Sequence, residues 1–441
     1  MVERIVVGES GGPTPVIDWE VAGALAAAQE AGIEVYGAIN GLEGLLNANI
    51  EGNVVDLSEV DPMSFCFNGP GAGLRTTRIK PDDEQYKKIA ENMDAFGIDG
   101  IVYFGGNDTA DQLDGLSRHT DASAIHGIKT VDNDLPATHH CPGWGSAALY
   151  NATALKNVHS DYSSYRVQAN YRDGGQVKQG YDIAPLAIYQ VMGRSAGWLA
   201  EAAAFSRVDP RGEMVEDRPP HIILPKEVPF SEKEFLDKLD DTISRLGEAV
   251  VVVQEDLTDK ETGRDLAEMH AEDVATDEHG NIQHGRATSF STSVYLAQLV
   301  DNELDVDAVC GKIKDVALVP QHIQRSCMMS EVDAAEAYRV GYATVRAMLD
   351  GETKRSVVLE KQEDGKMKTG LTELPNIAGK ERQVPDEYID GMDGPTQEFI
   401  DEYLYLLGGP VALPHYSLHR FDSVQVPESV KSSPYVAGDM S

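Results

Sequence analysis

Positive charge is what this chain has least of. Thirty-seven Lys and Arg stand against seventy-three Asp and Glu, a formal charge of −36, and such a surface repels polyanions, so neither nucleic acid nor an anionic membrane is an expected partner. Cysteine is scarce too. Cys66, Cys141, Cys310 and Cys327 lie far apart, with no Cys-x-x-Cys pair and no His at metal-ligand spacing, which excludes a disulfide scaffold or a zinc cluster and leaves reduced thiols. No apolar run reaches membrane-spanning length. Linkers rich in Gly and Ser, internal repeats and low-complexity tracts are absent. The first residues lead straight into a strand pattern, Arg4 to Gly8, without the apolar core of a signal peptide, so a cytoplasmic protein is expected.

What is present is a chain of 441 residues, 41% hydrophobic, enough for two domains with substantial cores. Short apolar runs ending in Gly or Asp alternate with helical stretches. That is the pattern of a mainly parallel sheet covered on both faces, the α/β class. Strands are expected at Ile5–Gly8, Ile33–Ile39, Ile101–Phe104, Ile125–Val131, Leu186–Val191, Ile222–Leu224 and Ala249–Val253. Trp19–Ala31 reads as an Ala-rich helix stopped by Gly32, and Ser231-x-x-Glu234 and Ser330-x-x-Asp333 read as capping boxes. The aperiodic polar stretch near 256–285 reads as an exposed insertion, and Glu360–Lys368 as a hairpin around Glu363-Asp364-Gly365.

The chemistry gathers where strands end, which is where open α/β sheets bind ligands. Gly8-Glu9-Ser10-Gly11-Gly12-Pro13 follows the first strand, and adjacent glycines let backbone amides approach a phosphate, although such a turn is also common structure. Gly105-Gly106-Asn107-Asp108-Thr109 repeats the arrangement. Lys129-Thr130-Val131-Asp132-Asn133-Asp134 closes another strand; in an extended chain its two carboxylates share a side, one base and one charge partner for phosphoryl transfer, while Asp-Asn-Asp before Leu135-Pro136 is equally good turn chemistry. Met192-Gly193-Arg194-Ser195 puts a guanidinium at a strand end with Ser195 able to cap a helix, and His322-Ile323-Gln324-Arg325 is a short polar segment before a loop. A chain this acidic needs such local cations, amides or a divalent metal to hold a phosphorylated ligand.

In this order, from Ser10 nearly to the chain's end, the segments resemble the phosphofructokinase family. Ser10-Gly11-Gly12 matches its phosphate loop, Thr130–Asp134 its Thr-[Ile/Val]-Asp-Asn-Asp motif, Met192-Gly193-Arg194 its Met-Gly-Arg, and Gln324-Arg325 its Gln-Arg. Glu227, in Pro225-Lys226-Glu227, matches a glutamate that contacts sugar hydroxyls, with Lys226 departing from the usual Pro-Glu. Glu381-Arg382-Gln383-Val384-Pro385 and Leu407-Gly408-Gly409 are similar to segments of longer, pyrophosphate-type members.

The resemblance implies two Rossmann-like three-layer αβα domains with the active site in the cleft between them. Residues 1–137 with about 326–400 would bind the donor, and 138–325 with about 401–441 the sugar phosphate. Asp132 would deprotonate the sugar 1-hydroxyl, with Asp134 beside it and Arg194 on the transferred phosphate. Gly11, Gly12, Arg78, Asp108 and Lys129 would hold the donor. Thr130, Met192, Gly193, Arg194, Glu227, His322 and Arg325 would hold the sugar phosphate.

Nucleotide-using members carry small residues where Asp108 and Lys129 stand; filling both places favours a short donor, pyrophosphate, over ATP. The implied reaction is the reversible conversion of fructose 6-phosphate to fructose 1,6-bisphosphate with Mg²⁺, a glycolytic and gluconeogenic step, in a homodimer, with a tetramer as the alternative. Two departures stand out: Asn107 occupies a position where many members have an Asp near the magnesium, and Lys312-Ile313-Lys314-Asp315-Val316 stands where relatives carry a partner-subunit Arg. An ATP-dependent enzyme, a non-catalytic sugar-phosphate-binding subunit and a related acceptor such as sedoheptulose 7-phosphate stay open at this point.

Overall fold

The computed structural model describes residues 2–67, 71–270, 290–304, 306, 308–408 and 424–439. In chain order its strands are β1 (Arg4–Glu9), β2 (Glu34–Ala38), β3 (Val54–Asp56), β4 (Gly100–Gly105), β5 (Ser123–Ile128), β6 (Val167–Asp173) and β7 (Gln176–Val191). There follow β8 (Ile222–Leu224), β9 (Ala249–Gln254), β10 (Val309–Leu318), β11 (Arg355–Lys361), β12 (Met367–Glu373) and β13 (Gly438–Asp439). They belong to two compact units.

The first unit comprises the chain up to Tyr150 with His322–Gln383 and Tyr405–Gly408. Its sheet runs β12-β11-β5-β4-β1-β2-β3. The five inner strands are parallel, while β12 and β3 pair antiparallel at the edges. Ile5–Gly8 of β1 and all of β4 are apolar and buried, as strands covered on both faces must be. The helix Ile17–Ala31 ends where Gly32 turns left-handed at φ 70°, the position a Cβ disfavours. Its backbone lies against the helix Glu331–Leu349: a Cβ on Gly23 would come within 2.1 Å of Tyr338 O, and one on Gly341 within 1.8 Å of Glu20 O. Only glycine permits that approach.

The second unit is built from Asn151–Gln321 and Val384–Leu404 together with β13. Its sheet runs β13-β6-β7-β9-β8, with β10 alongside β7. β7 is parallel to β9 and β10 and antiparallel to β6. Buried aliphatics of β7, β8 and β9 form the core with Phe235, Leu239 and Ile243 of the helix Glu232–Leu246.

The expected strands are all present, although β7 begins at Gln176, well before the expected Leu186, and the Glu360–Lys368 turn is the tip of the β11–β12 hairpin. Several expectations are corrected. Residues 322–325 belong to the first unit and 384–400 to the second. Residues 138–150 stay with the first unit because the buried Asp333 carboxylate accepts from Gly143 N and Ser146 N at 3.0 and 2.8 Å. Residues 384–404 join the second through Val384 N on Glu227 and Phe399 stacked on Phe205.

Those bonds of Asp333 also leave no capping box at Ser330. Ser330 Oγ accepts from Asp333 N, but the Asp333 carboxylate turns to the Gly143–Ser146 loop instead of back to its own helix end. The proposed insertion is exposed only in part where it is described: Lys260–Arg264 are exposed, whereas Leu257, Leu266 and Ala267 are core residues and Asp256 is buried, accepting from Leu257 N and Ala267 N. Its remainder, 271–285, lies outside the described residues, as do Gly409 and the Cys310 side chain. Cys66, Cys141 and Cys327 are buried free thiols.

Candidate active site

In the first unit, β1 ends in the Ser10-Gly11-Gly12 loop with Gly11 at φ 74°. Two of its amides are already committed, Ser10 N to Phe104 O at 2.9 Å and Gly11 N to Thr77 O at 3.0 Å. An anion would therefore meet the Gly12 amide and the cations around the loop. Lys129, one residue past β5, is one of those cations, but it faces the loop's oxygens: Nζ donates to Ser10 O at 2.9 Å and Gly12 O at 2.6 Å. Only 2% of it is exposed. Burial lowers its pKa to about 8, with Glu20 raising it and Arg325 lowering it further. Behind it, Glu20 and Glu9 are fully buried, and burial holds both carboxyls well above the usual range.

Arg325 packs over Gly12, where an added Cβ would fall 2.9 Å from the guanidinium carbon. A side chain there would displace the Arg. His322 lies near Arg325 and Arg78; burial first, and then those two charges, lower its pKa. Lys129, Arg325 and Arg78 thus form a basic region in an acidic chain, with the His322 ring near the two arginines. Asp108 is the second residue of the helix Asn107–Leu116, with its exposed carboxylate 3.9 Å from Lys80 Nζ. Asn107 opens that helix; its Oδ1 accepts from Asp108 N at 2.8 Å and its Nδ2 points to Lys380 O at 3.4 Å.

Of the two readings left open, the Thr130–Asp134 segment takes the turn and not the extended chain, because Asn133 has a left-handed φ of 56°. Asp132 N donates to Thr130 Oγ1 and Asn133 Oδ1 accepts from Cys141 N, so the turn chemistry won. Asp132 Oδ1 is buried with no hydrogen-bond partner. Asp134 is 8% exposed, and burial first, then the charges of Asp132 and Glu381, raise its pKa to about 7. The turn is closed by Arg382, which reaches four of the loop's carbonyls. The Glu381–Pro385 segment stood out in the sequence, but not this role.

The raised pKa has a consequence for folding. A carboxyl held protonated in the fold stabilises it fully below its unfolded titration range and loses that contribution as pH climbs through about 7. Asp134→Asn should therefore flatten the fall in stability between acid and neutral pH by an amount on the order of a few kcal/mol. Urea midpoints of both proteins across that range measure it.

In the second unit, β7 runs into Met192-Gly193-Arg194. Gly193 is left-handed at φ 110°, Met192 is buried and Arg194 is exposed. Gln254 fastens this region, its Nε2 donating to Ala196 O at 2.9 Å and its Oε1 accepting from Lys226 N at 2.8 Å. Ser195 does not cap the following helix, Trp198–Ala202, whose N-cap is Gly197. The amide of Gly197 instead donates to Glu227, which also accepts from Val384 N at 2.8 Å. Lys226 turns away to Asp265, 2.6 Å distant. Lys314 lies over the Tyr165 ring, 3.0 Å from its centroid, a cation–π contact.

Among the described residues no three His, Cys, Asp or Glu side chains are grouped to hold a metal, and no helix is long and apolar enough to cross a membrane.

Phosphate-sized loops at strand ends, ringed by cations, with two carboxylates in one turn beside them, define an α/β enzyme of phosphoryl transfer. The phosphofructokinase family model matches residues 4–169 and 183–348, and the chain belongs to that family. It is 30% identical over 419 residues to the pyrophosphate–fructose 6-phosphate 1-phosphotransferase of Rhodospirillum rubrum, covering 92% of this chain and 94% of the relative. The enzyme of the same name from Xanthomonas campestris pv. campestris is 30% identical, covering 88% and 87% of the two chains. A solved structure, the pyrophosphate-dependent phosphofructokinase of Nitrosospira multiformis, aligns with a TM-score of 0.73 at 25% identity, covering 98% of this chain and all of that one.

Proposed function

We propose that this chain transfers a phosphoryl group from pyrophosphate to the 1-hydroxyl of fructose 6-phosphate, reversibly. The observation that carries it is the partnerless Oδ1 of Asp132, in the same unit as a Ser-Gly-Gly loop pinned by Lys129. Asp132 takes the proton of the 1-hydroxyl. The sugar oxygen then bonds to one phosphorus of pyrophosphate, the bridging P–O bond breaks, and phosphate leaves.

Arg325 and Arg78 offset charge on the donor, with the Gly12 amide at its oxygens. The packing of Arg325 on Gly12 supports moving it, with His322, from the sugar side to the donor side. Arg194 and Glu227, with Thr130, Met192 and Gly193, are assigned to the sugar phosphate. Lys129 and Asp108 disfavour a longer nucleotide, Lys129 by fixing the loop and Asp108 by its carboxylate at the first turn of its helix.

A magnesium ion, when bound, would neutralise charge on the donor's phosphates. The residues fit one held chiefly by phosphate oxygens and water, since no three His, Cys, Asp or Glu side chains are grouped among the described residues. Asn107 fits less well, because Asp108 N already occupies its oxygen. A cytoplasmic homodimer is part of this reading. Its test is a coupled assay offering fructose 6-phosphate and Mg²⁺ with either pyrophosphate or ATP.

A further inference from the structure

Asp132 owes its orientation to the backbone of its turn, since its Oδ1 has no partner to steer it. That backbone is strained: Asn133 and Ala137, neither of them glycine, both take left-handed φ values, 56° and 60°. Such conformations persist only where the surroundings over-determine them. Arg382, from a segment distant in sequence, does so. Its amide donates to Asp134 O at 2.6 Å. Its Nη1 donates to Thr138 O at 2.5 Å and His139 O at 3.0 Å, and its Nη2 to Asn133 O at 3.0 Å. One planar fork thereby ties both ends of the loop that bears the two strained residues. A lysine, with a single nitrogen, cannot span the same carbonyls.

We propose that Arg382 is a positioning residue for phosphoryl transfer, holding the Thr130–Asp134 turn so that Asp132 presents its carboxylate to the acceptor hydroxyl. The inference rests on the phosphoryl-transfer reading above. Arg382 also brings the cation that faces Asp134, whose other charged or titratable neighbours are Asp132, Glu381 and Cys141.

The test is steady-state kinetics of the full chain carrying Arg382→Met or Arg382→Lys, with pyrophosphate, fructose 6-phosphate and Mg²⁺. Arg382→Met should lower kcat about a hundredfold, the cost of a misplaced reacting group, with both KM values within about threefold of wild type. Arg382→Lys restores charge without the fork, so it should recover only part of kcat. A kcat of Arg382→Met within about threefold of wild type, or a loss of kcat matched by an equal rise in the KM values, overturns the proposal. Should Arg382→Met not fold, Arg382→Lys decides alone: full kcat overturns the proposal, and reduced kcat with unchanged KM supports it. A wild-type protein inactive with pyrophosphate defeats the underlying reading instead, and the two failures are told apart by that control.

Discussion

Asp132→Ala lowers kcat with pyrophosphate by about a thousandfold, within the range that a positioned general base contributes, while fructose 6-phosphate still binds. The size of the effect follows from how little else the side chain does. Oδ1 has no hydrogen-bond partner, and the turn is held by other groups: Thr130 Oγ1, Asn133 Oδ1 and Arg382. Truncation therefore removes a proton acceptor without dismantling its scaffold. Lost kcat with a nearly unchanged dissociation constant for fructose 6-phosphate, measured by calorimetry, is the signature of an interaction made in the transition state. Turnover within about tenfold of wild type would assign the base elsewhere.

Lys129→Met is expected to cost both stability and donor use. The ammonium bridges Ser10 O and Gly12 O from a buried position, and its charge offsets those of Glu20 and Glu9. Removing one partner of a buried charged set costs about 3–5 kcal/mol. Protonation of the two carboxyls, whose proton affinity burial already raises, should hold the loss near the lower end. The freed loop should then lower kcat/KM for pyrophosphate about a hundredfold, through misplacement of the phosphate it cradles. Denaturant midpoints and donor kinetics on one preparation test both halves. A Lys that only neutralised phosphate would leave the midpoint unmoved.

Much of this was legible in the sequence. Runs such as Ile101–Phe104 are continuous and apolar because both faces of the sheet are covered, and the glycines and carboxylates after them mark where strands stop. The β6–β7 hairpin was passed over because its residues are mostly polar and exposed, although Gly174-Gly175, both at positive φ, form the two-residue turn that announces it. Other features depend on tertiary partners. Asn133 turns left-handed because its side chain meets Cys141 N and its carbonyl meets Arg382, 249 residues away. Lys129 reads as a phosphate ligand until its nitrogen is seen on two carbonyls. Asp333 looks like half of a capping box because spacing cannot show that the Gly143–Ser146 loop competes for it.

The donor is the point on which the account turns, and one assay addresses it. Purified protein is given fructose 6-phosphate and Mg²⁺, with pyrophosphate or ATP in separate reactions, and fructose 1,6-bisphosphate formation is followed by coupled oxidation of NADH. The account predicts turnover with pyrophosphate and at least about a hundredfold lower kcat/KM with ATP. Turnover with ATP alone would contradict it.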